Sequence, residues 1–216
     1  MADRQEMLLA MFAAMKERLG SSRWWPARSP FEVAVGAILT QNTNWGNVEK
    51  AIENLSAAGV LDPLSMYNLP EAALAALIRP AGYFRVKTAR LKDFLNFLRH
   101  SCNLKMEALA IHDLEELRPR LLGVRGIGQE TADSILLYAL GKATFVVDAY
   151  TKRLANRHML VHEDITYDEL REFYMDALPQ DVELFNEYHA LIVRTVKKWC
   201  LKKEPLCKEC PLRDFL

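Results

Sequence analysis

Leu122-Gly123-Val124-Arg125-Gly126-Ile127-Gly128-Gln129-Glu130-Thr131-Ala132-Asp133, followed one helix later by Val146-Val147-Asp148, is the stretch on which the reading of this 216-residue chain turns. Gly126 and Gly128 let a backbone turn sharply and approach another molecule closely. A helix opening near Gln129 aims its first N–H groups back at that turn, which suits one oxygen of a nucleic-acid phosphate. Asp148 follows the apolar run Phe145-Val146-Val147. A carboxylate held against such packing is a candidate for stabilising positive charge. Each feature also has a plainer explanation. The glycines fit a tight turn between two helices, and Asp148 fits a helix N-cap.

Outward from this stretch the pattern is helical. Leu8, Met11, Phe12, Met15 and Leu19 keep helical spacing, as do Val182, Phe185, His189, Ile192, Val196 and Trp199. Ser29-Pro30-Phe31-Glu32 reads as a capping box with proline in the first turn. Asn68 with Glu71, and Thr166 with Glu169, mark two further helix starts. Phe145-Val146-Val147 is the one strand candidate and is too short to build a sheet. The expected fold class is all-α, with short loops joining its helices.

Composition bounds the function. The 28 basic and 28 acidic residues cancel, which lowers the expectation of nucleic-acid binding. The basic residues cluster, however: Arg79, Arg85, Lys87, Arg90 and Lys92; then Lys152, Arg153 and Arg157; then Arg194, Lys197, Lys198, Lys202 and Lys203. The common meaning of such runs is a solvated helix face. No apolar run reaches membrane-spanning length. Met1-Ala2-Asp3-Arg4-Gln5-Glu6 lacks the basic-then-apolar pattern of a signal peptide. A cytoplasmic monomer is the expectation. Of the histidines, His189 reads as a core residue on an apolar helix face. His100, His112, His158 and His162 form no metal-ligand pattern.

The hairpin and the downstream Asp148 together resemble the helix-hairpin-helix DNA glycosylase superfamily, over nearly the whole chain. Trp24-Trp25-Pro26, Phe31-Glu32, Leu39-Thr40-Gln41-Asn42-Thr43-Asn44-Trp45 and Arg79-Pro80-Ala81-Gly82-Tyr83-Phe84 look like the bacterial 3-methyladenine DNA glycosylase III group. The resemblance implies two helical domains with the active site in the cleft between them. A six-helix barrel would cover residues 27–133, with the hairpin at about 115–133. Residues 1–26 and 134–216 would form the second domain, ending in a cysteine-rich loop.

The same resemblance assigns roles. Asp148 is the implied catalytic carboxylate, opposing the positive charge that develops on the sugar as an N-glycosidic bond breaks. Trp24, Trp25, Pro26 and Trp45 are the implied base pocket. N-alkylated purines are cationic, and electron-rich ring faces attract them. Gly126, Gly128, Gln129, Thr131 and Lys152 are the implied contacts to double-stranded DNA carrying a damaged base. Gln41 would enter the gap left by the extruded base, with a surface glutamine at a helix end as the alternative. The carbonyls of Leu122, Val124 and Ile127 would hold a monovalent cation.

Glu130 departs from the endonuclease III-like branch, where a lysine at this position forms a Schiff base with the sugar. A carboxylate forms no imine, so the expected enzyme is a monofunctional glycosylase for alkylated purines such as 3-methyladenine. The alternatives are an endonuclease III-like enzyme for oxidised pyrimidines and a non-catalytic DNA-binding module; a module needs neither Asp148 nor an aromatic pocket. Cys200, Cys207 and Cys210 match three ligands of the endonuclease III-type [4Fe–4S] loop, and Leu216 stands at the fourth position. Two readings stay open there: a cluster whose fourth ligand comes from elsewhere, or a loop of free thiols.

Overall fold

In the computed structural model, which describes residues 2–22 and 27–216, every regular element among those residues is helical and none is a strand. The α-helices are α1 (Ala2–Leu19), α2 (Pro30–Thr40), α3 (Trp45–Ala57), α4 (Pro63–Asn68), α5 (Glu71–Leu77), α6 (Phe84–Cys102), α7 (Leu114–Leu122), α8 (Gln129–Ser134), α9 (Ala149–Arg157), α10 (Tyr167–Met175) and α11 (Val182–Lys198). A π-helical turn, Ile135–Ala139, continues α8. The chain divides into two compact units, residues 27–142 and residues 1–26 with 143–216.

In the first unit α2 is the central helix. Phe31, Val33, Ala34, Val35, Ala37, Ile38 and Leu39 are all buried, as befits a helix that is apolar all round. It packs on α3, α6, α8 and the π turn. Its start is half the expected capping box. Ser29 accepts from the Glu32 N–H at 3.2 Å, but the Glu32 carboxylate accepts from the Arg28 N–H. Asn68 does not start a helix; it closes α4, and Pro70 is the N-cap of α5. The physical reason is Pro70 itself, whose ring drives Leu69 into extended backbone and ends the preceding helix.

The second unit gathers α1, α9, α10 and α11. Thr166 and Glu169 form a complete capping box on α10. Leu8, Met11 and Met15 bury one face of α1 against α11, and the Tyr188 hydroxyl donates to the Leu8 carbonyl at 2.8 Å. Burial on α11 is wider than a single stripe, since Tyr188, Leu191 and Val193 are also buried. Phe145 stacks on Tyr174, with 4.2 Å between ring centroids, and meets Phe185 and Tyr188 edge-on. Phe145-Val146-Val147 is therefore a buried irregular segment. It delivers the chain to the first turn of α9.

Candidate active site

That turn begins with Asp148, which caps α9. The Thr151 backbone N–H and hydroxyl donate to its Oδ1, at 2.7 and 3.0 Å. Its Oδ2 lies 3.5 Å from Nε2 of His189 on α11. The Asp148 side chain is 13% exposed. Burial pushes its carboxyl upward, but His189 and Thr151 outweigh that and hold it below the ordinary carboxylate range. The charge of Asp148 and, more strongly, complete burial raise the Tyr174 phenol. Position 148 is thus both an N-cap and an ionised, oriented carboxylate. The residue missed from sequence is His189. It is on the expected apolar face, and its ring meets the Asp148 carboxylate.

The hairpin belongs to the other unit. The Val124 N–H donates to Leu121 and the Ile127 N–H to Val124, each at 3.0 Å, closing the turn between α7 and α8. Gly126 has φ of +85°, and a Cβ there would fall 2.4 Å from Cγ of Arg90. Gly128, the N-cap of α8, has φ of −90°, and a Cβ there would meet nothing within 4 Å. The fold needs a glycine at 126. At 128 the protein itself makes no such demand.

Gln41 ends α2 as a clamp on this hairpin. Its Nε2 donates to the Gly126 carbonyl at 3.1 Å and to the Thr131 hydroxyl at 2.9 Å, while its Oε1 accepts from Arg90. Thr131 is buried, so its hydroxyl serves the fold. Asp133, the last residue of the motif, is fully buried and accepts from Arg118 Nε at 3.0 Å and Nη2 at 3.2 Å, fastening α8 to α7. Glu130 is exposed.

The basic clusters are only in part solvated faces: Arg79, Arg85, Lys197, Lys198, Lys202 and Lys203 are exposed, whereas others turn inward. Lys87 is 1% exposed and donates to the carbonyls of Leu39 and Ala81, at 2.8 and 2.7 Å. Those carbonyls stand two residues before Gln41 and Tyr83. Tyr83 has φ of +44° and is 72% exposed, a costly conformation for an aromatic residue. Lys92 donates to the carbonyls of Met66, Tyr67 and Leu69. Lys152, expected to face DNA, donates instead to the Ile165 carbonyl at 2.8 Å. Arg194 holds the carbonyls of Leu19 and Gly20. Positive charge suits the carbonyl ends of helices, and sequence alone does not show which lysines are used so.

Trp45 opens α3 half-buried, its indole N–H donating to Glu49 at 2.8 Å. Trp24, Trp25 and Pro26 lie outside the described residues. The cysteine loop follows α11. Arg157 holds it through the carbonyls of Leu201 and Lys202 and the Cys200 thiol. Burial, and then the nearness of Cys200 and Cys207, raise the Cys210 thiol. Leu216 brings no donor to the fourth position. Among the described residues no three His, Cys, Asp or Glu side chains form a group able to hold a metal ion. Three thiols and a leucine do not fit a four-thiolate cluster. At the hairpin, the Val124 carbonyl already accepts the Ile127 N–H, which leaves its second lone pair for a cation. No helix among the described residues is long and apolar enough to cross a membrane.

Comparison with known proteins adds to this geometry. Residues 35–180 match the family described as HhH-GPD superfamily base excision DNA repair protein. A Methanocaldococcus jannaschii protein, whose name assigns it provisionally to the DNA repair glycosylases, is 46% identical over 97% of this chain and 96% of its own. The Thermotoga maritima Endonuclease III is 29% identical over 86% of this chain and 81% of its own. Among solved structures, the H. pylori 3-methyladenine DNA glycosylase bound to 1,N6-ethenoadenine superposes with a TM-score of 0.76 at 28% identity, covering 90% of this chain and 97% of that one. A trapped Endonuclease III–DNA covalent intermediate gives a TM-score of 0.83 at 20% identity, over 98% and 94% of the two chains. That second likeness is one of fold.

Proposed function

Because the chain belongs to the HhH-GPD superfamily of base excision DNA repair proteins, we propose that it is a monofunctional DNA glycosylase that releases alkylated purines such as 3-methyladenine. The observation that carries this reading is Asp148. Both of its oxygens have partners, and its carboxyl is held ionised. A fixed negative charge beside the sugar opposes the positive charge of an oxocarbenium-like transition state without reorganising. An N-alkylated purine leaves as a neutral base, so its departure needs no strong acid. Trp45, half-exposed with its edge anchored on Glu49, supports stacking of a cationic base on its face. Glu130, at the position of the Schiff-base lysine of the endonuclease III-like branch, offers no amine. The carbonyls of Leu122, Val124 and Ile127 are the proposed ligands of a monovalent cation at the hairpin.

With methylated duplex DNA, the protein is expected to release 3-methyladenine and to leave the strand intact at the abasic site. Borohydride added during turnover is expected to trap no enzyme–DNA adduct. A trapped adduct would put another lysine to work and end the monofunctional reading. Release only from oxidised-pyrimidine duplexes would favour the endonuclease III-like alternative, which the Thermotoga maritima relative supports.

The hairpin glycines separate fold from binding. Gly126→Ala is expected to cost about 1–2 kcal/mol, because an L-residue is placed at positive φ. It must also displace Arg90. Gly128→Ala is expected to leave the melting temperature unchanged and to weaken duplex binding, since its Cβ would project into open space where the backbone of DNA is proposed to lie. Thermal melting and duplex titration of both variants check this. Equal binding by wild type and Gly128→Ala would remove the hairpin contact from the proposal.

A further inference from the structure

We infer that His189 is a positioning residue for base excision: it fixes Oδ2 of Asp148 while Thr151 fixes Oδ1, so that the carboxylate keeps one orientation. This rests on the reading of Asp148 as the catalytic carboxylate. Three observations carry it. The His189 ring is buried, 6% exposed, and its Nε2 is 3.5 Å from Asp148 Oδ2. With hydrogen on Nε2 the ring is a donor to that oxygen, and a small approach makes a full hydrogen bond. The two donors on Oδ1 come from the carboxylate's own helix, whereas His189 reaches it from α11. Contacts from two elements stop the carboxylate from rotating as well as from shifting. Finally, α11 is itself prevented from turning. The neighbouring Tyr188 hydroxyl is bonded to the Leu8 carbonyl of α1, and its ring meets Phe145 and Tyr174 edge-on.

Among the described residues, the groups facing Asp148 are His189 from α11, Thr151 from α9 and the Tyr174 phenol from α10. Of these, His189 and Thr151 stabilise the ionised form. Removing the His189 donor therefore raises the Asp148 carboxyl, and the active anion is lost at a higher pH than in the wild type.

The test compares His189→Leu, which has no donor, with His189→Gln, which keeps an N–H but does not titrate. Each is measured in single-turnover excision of 3-methyladenine across the acid range, with lesion-duplex affinity and circular dichroism alongside. The leucine variant is expected to lose about 10²-fold in rate, the scale on which misplacing a reacting group is felt. Lesion affinity should be unchanged and the acid limb should move to higher pH. The glutamine variant is expected to recover most of the rate and of the wild-type acid limb. A merely structural histidine would lower the melting temperature without moving the acid limb of the folded fraction. Wild-type rate and acid limb in His189→Leu, or a glutamine variant as slow as the leucine one, would overturn the inference. If His189→Leu does not fold, His189→Met carries the same comparison. Asp148→Asn, run in parallel, keeps the two readings apart. Full turnover there removes the catalytic assignment itself, whereas an inactive Asp148→Asn beside an unaffected His189→Leu removes only the role of His189.

Discussion

Asp148→Asn is expected to lower single-turnover base excision by about 10²–10³-fold, the usual cost of losing one preorganised electrostatic contact to a transition state. The variant is informative because asparagine caps a helix about as well as aspartate does. Its carbonyl oxygen can still accept from the Thr151 N–H and hydroxyl, which now meet Oδ1 at 2.7 and 3.0 Å. The α9 cap should therefore survive, while the charge and the acceptor that Oδ2 offers to His189 are removed. Excision from methylated DNA, read beside lesion affinity and melting temperature, checks it. Undiminished turnover would reduce Asp148 to a cap. The pH behaviour follows from the same geometry. Burial raises the carboxyl, His189 and Thr151 more than offset this, and the folded-state pKa lies below that of the unfolded chain. Asp148 thus contributes stability that is present above the unfolded carboxylate value and is lost as pH falls through the folded one. The ionised form should persist into more acid solution than for an ordinary aspartate.

Asp133→Ala is expected to cost about 3–5 kcal/mol of folding stability, the range for removing one partner of a buried ion pair. Asp133 is fully buried and takes two bonds from Arg118, which is itself 17% exposed. The alanine leaves that guanidinium facing a site without its carboxylate, between the two helices of the hairpin. Denaturant unfolding measures the loss. A cost under about 1 kcal/mol would put the pair in the class of surface bridges. Arg118→Met combined with Asp133→Leu should recover part of the stability, because matched apolar replacement removes both desolvation costs. Asp148→Asn should act mainly on chemistry, losing only the stability that its ionised carboxyl contributes, whereas Asp133→Ala should act on the fold.

Much of this was legible in sequence because it is local. The Thr166–Glu169 cap, the α11 periodicity and the glycine-punctuated hairpin depend on residues a turn apart. A helix does begin at Glu71, but Pro70 and not Asn68 stands at its N-cap. The site was legible as a list of residue types and not as a set of partners. Nothing in the spacing of α11 says that the buried His189 meets Asp148. Gln41 was read either as a wedge for the duplex gap or as a surface glutamine, and neither reading contains the bonds of its amide to Gly126, Thr131 and Arg90. Such pairings come from tertiary packing, which periodicity does not encode.

The inward use of the basic side chains has a consequence for how solution ions act on this protein. The slope of DNA affinity against salt counts the phosphates whose condensed counterions are displaced by cations, at about −0.9 per phosphate on duplex DNA. Lys87, Lys92, Lys152, Arg157 and Arg194 are turned on carbonyl oxygens of their own chain. As long as they stay so, they displace none. Backbone N–H groups at a helix start attract phosphate as dipoles and carry no ion atmosphere to exchange. The 28 basic residues therefore overstate the ionic part of DNA association. Ionic strength should act on this chain as it would on a protein whose list of lysines and arginines is shorter by these five.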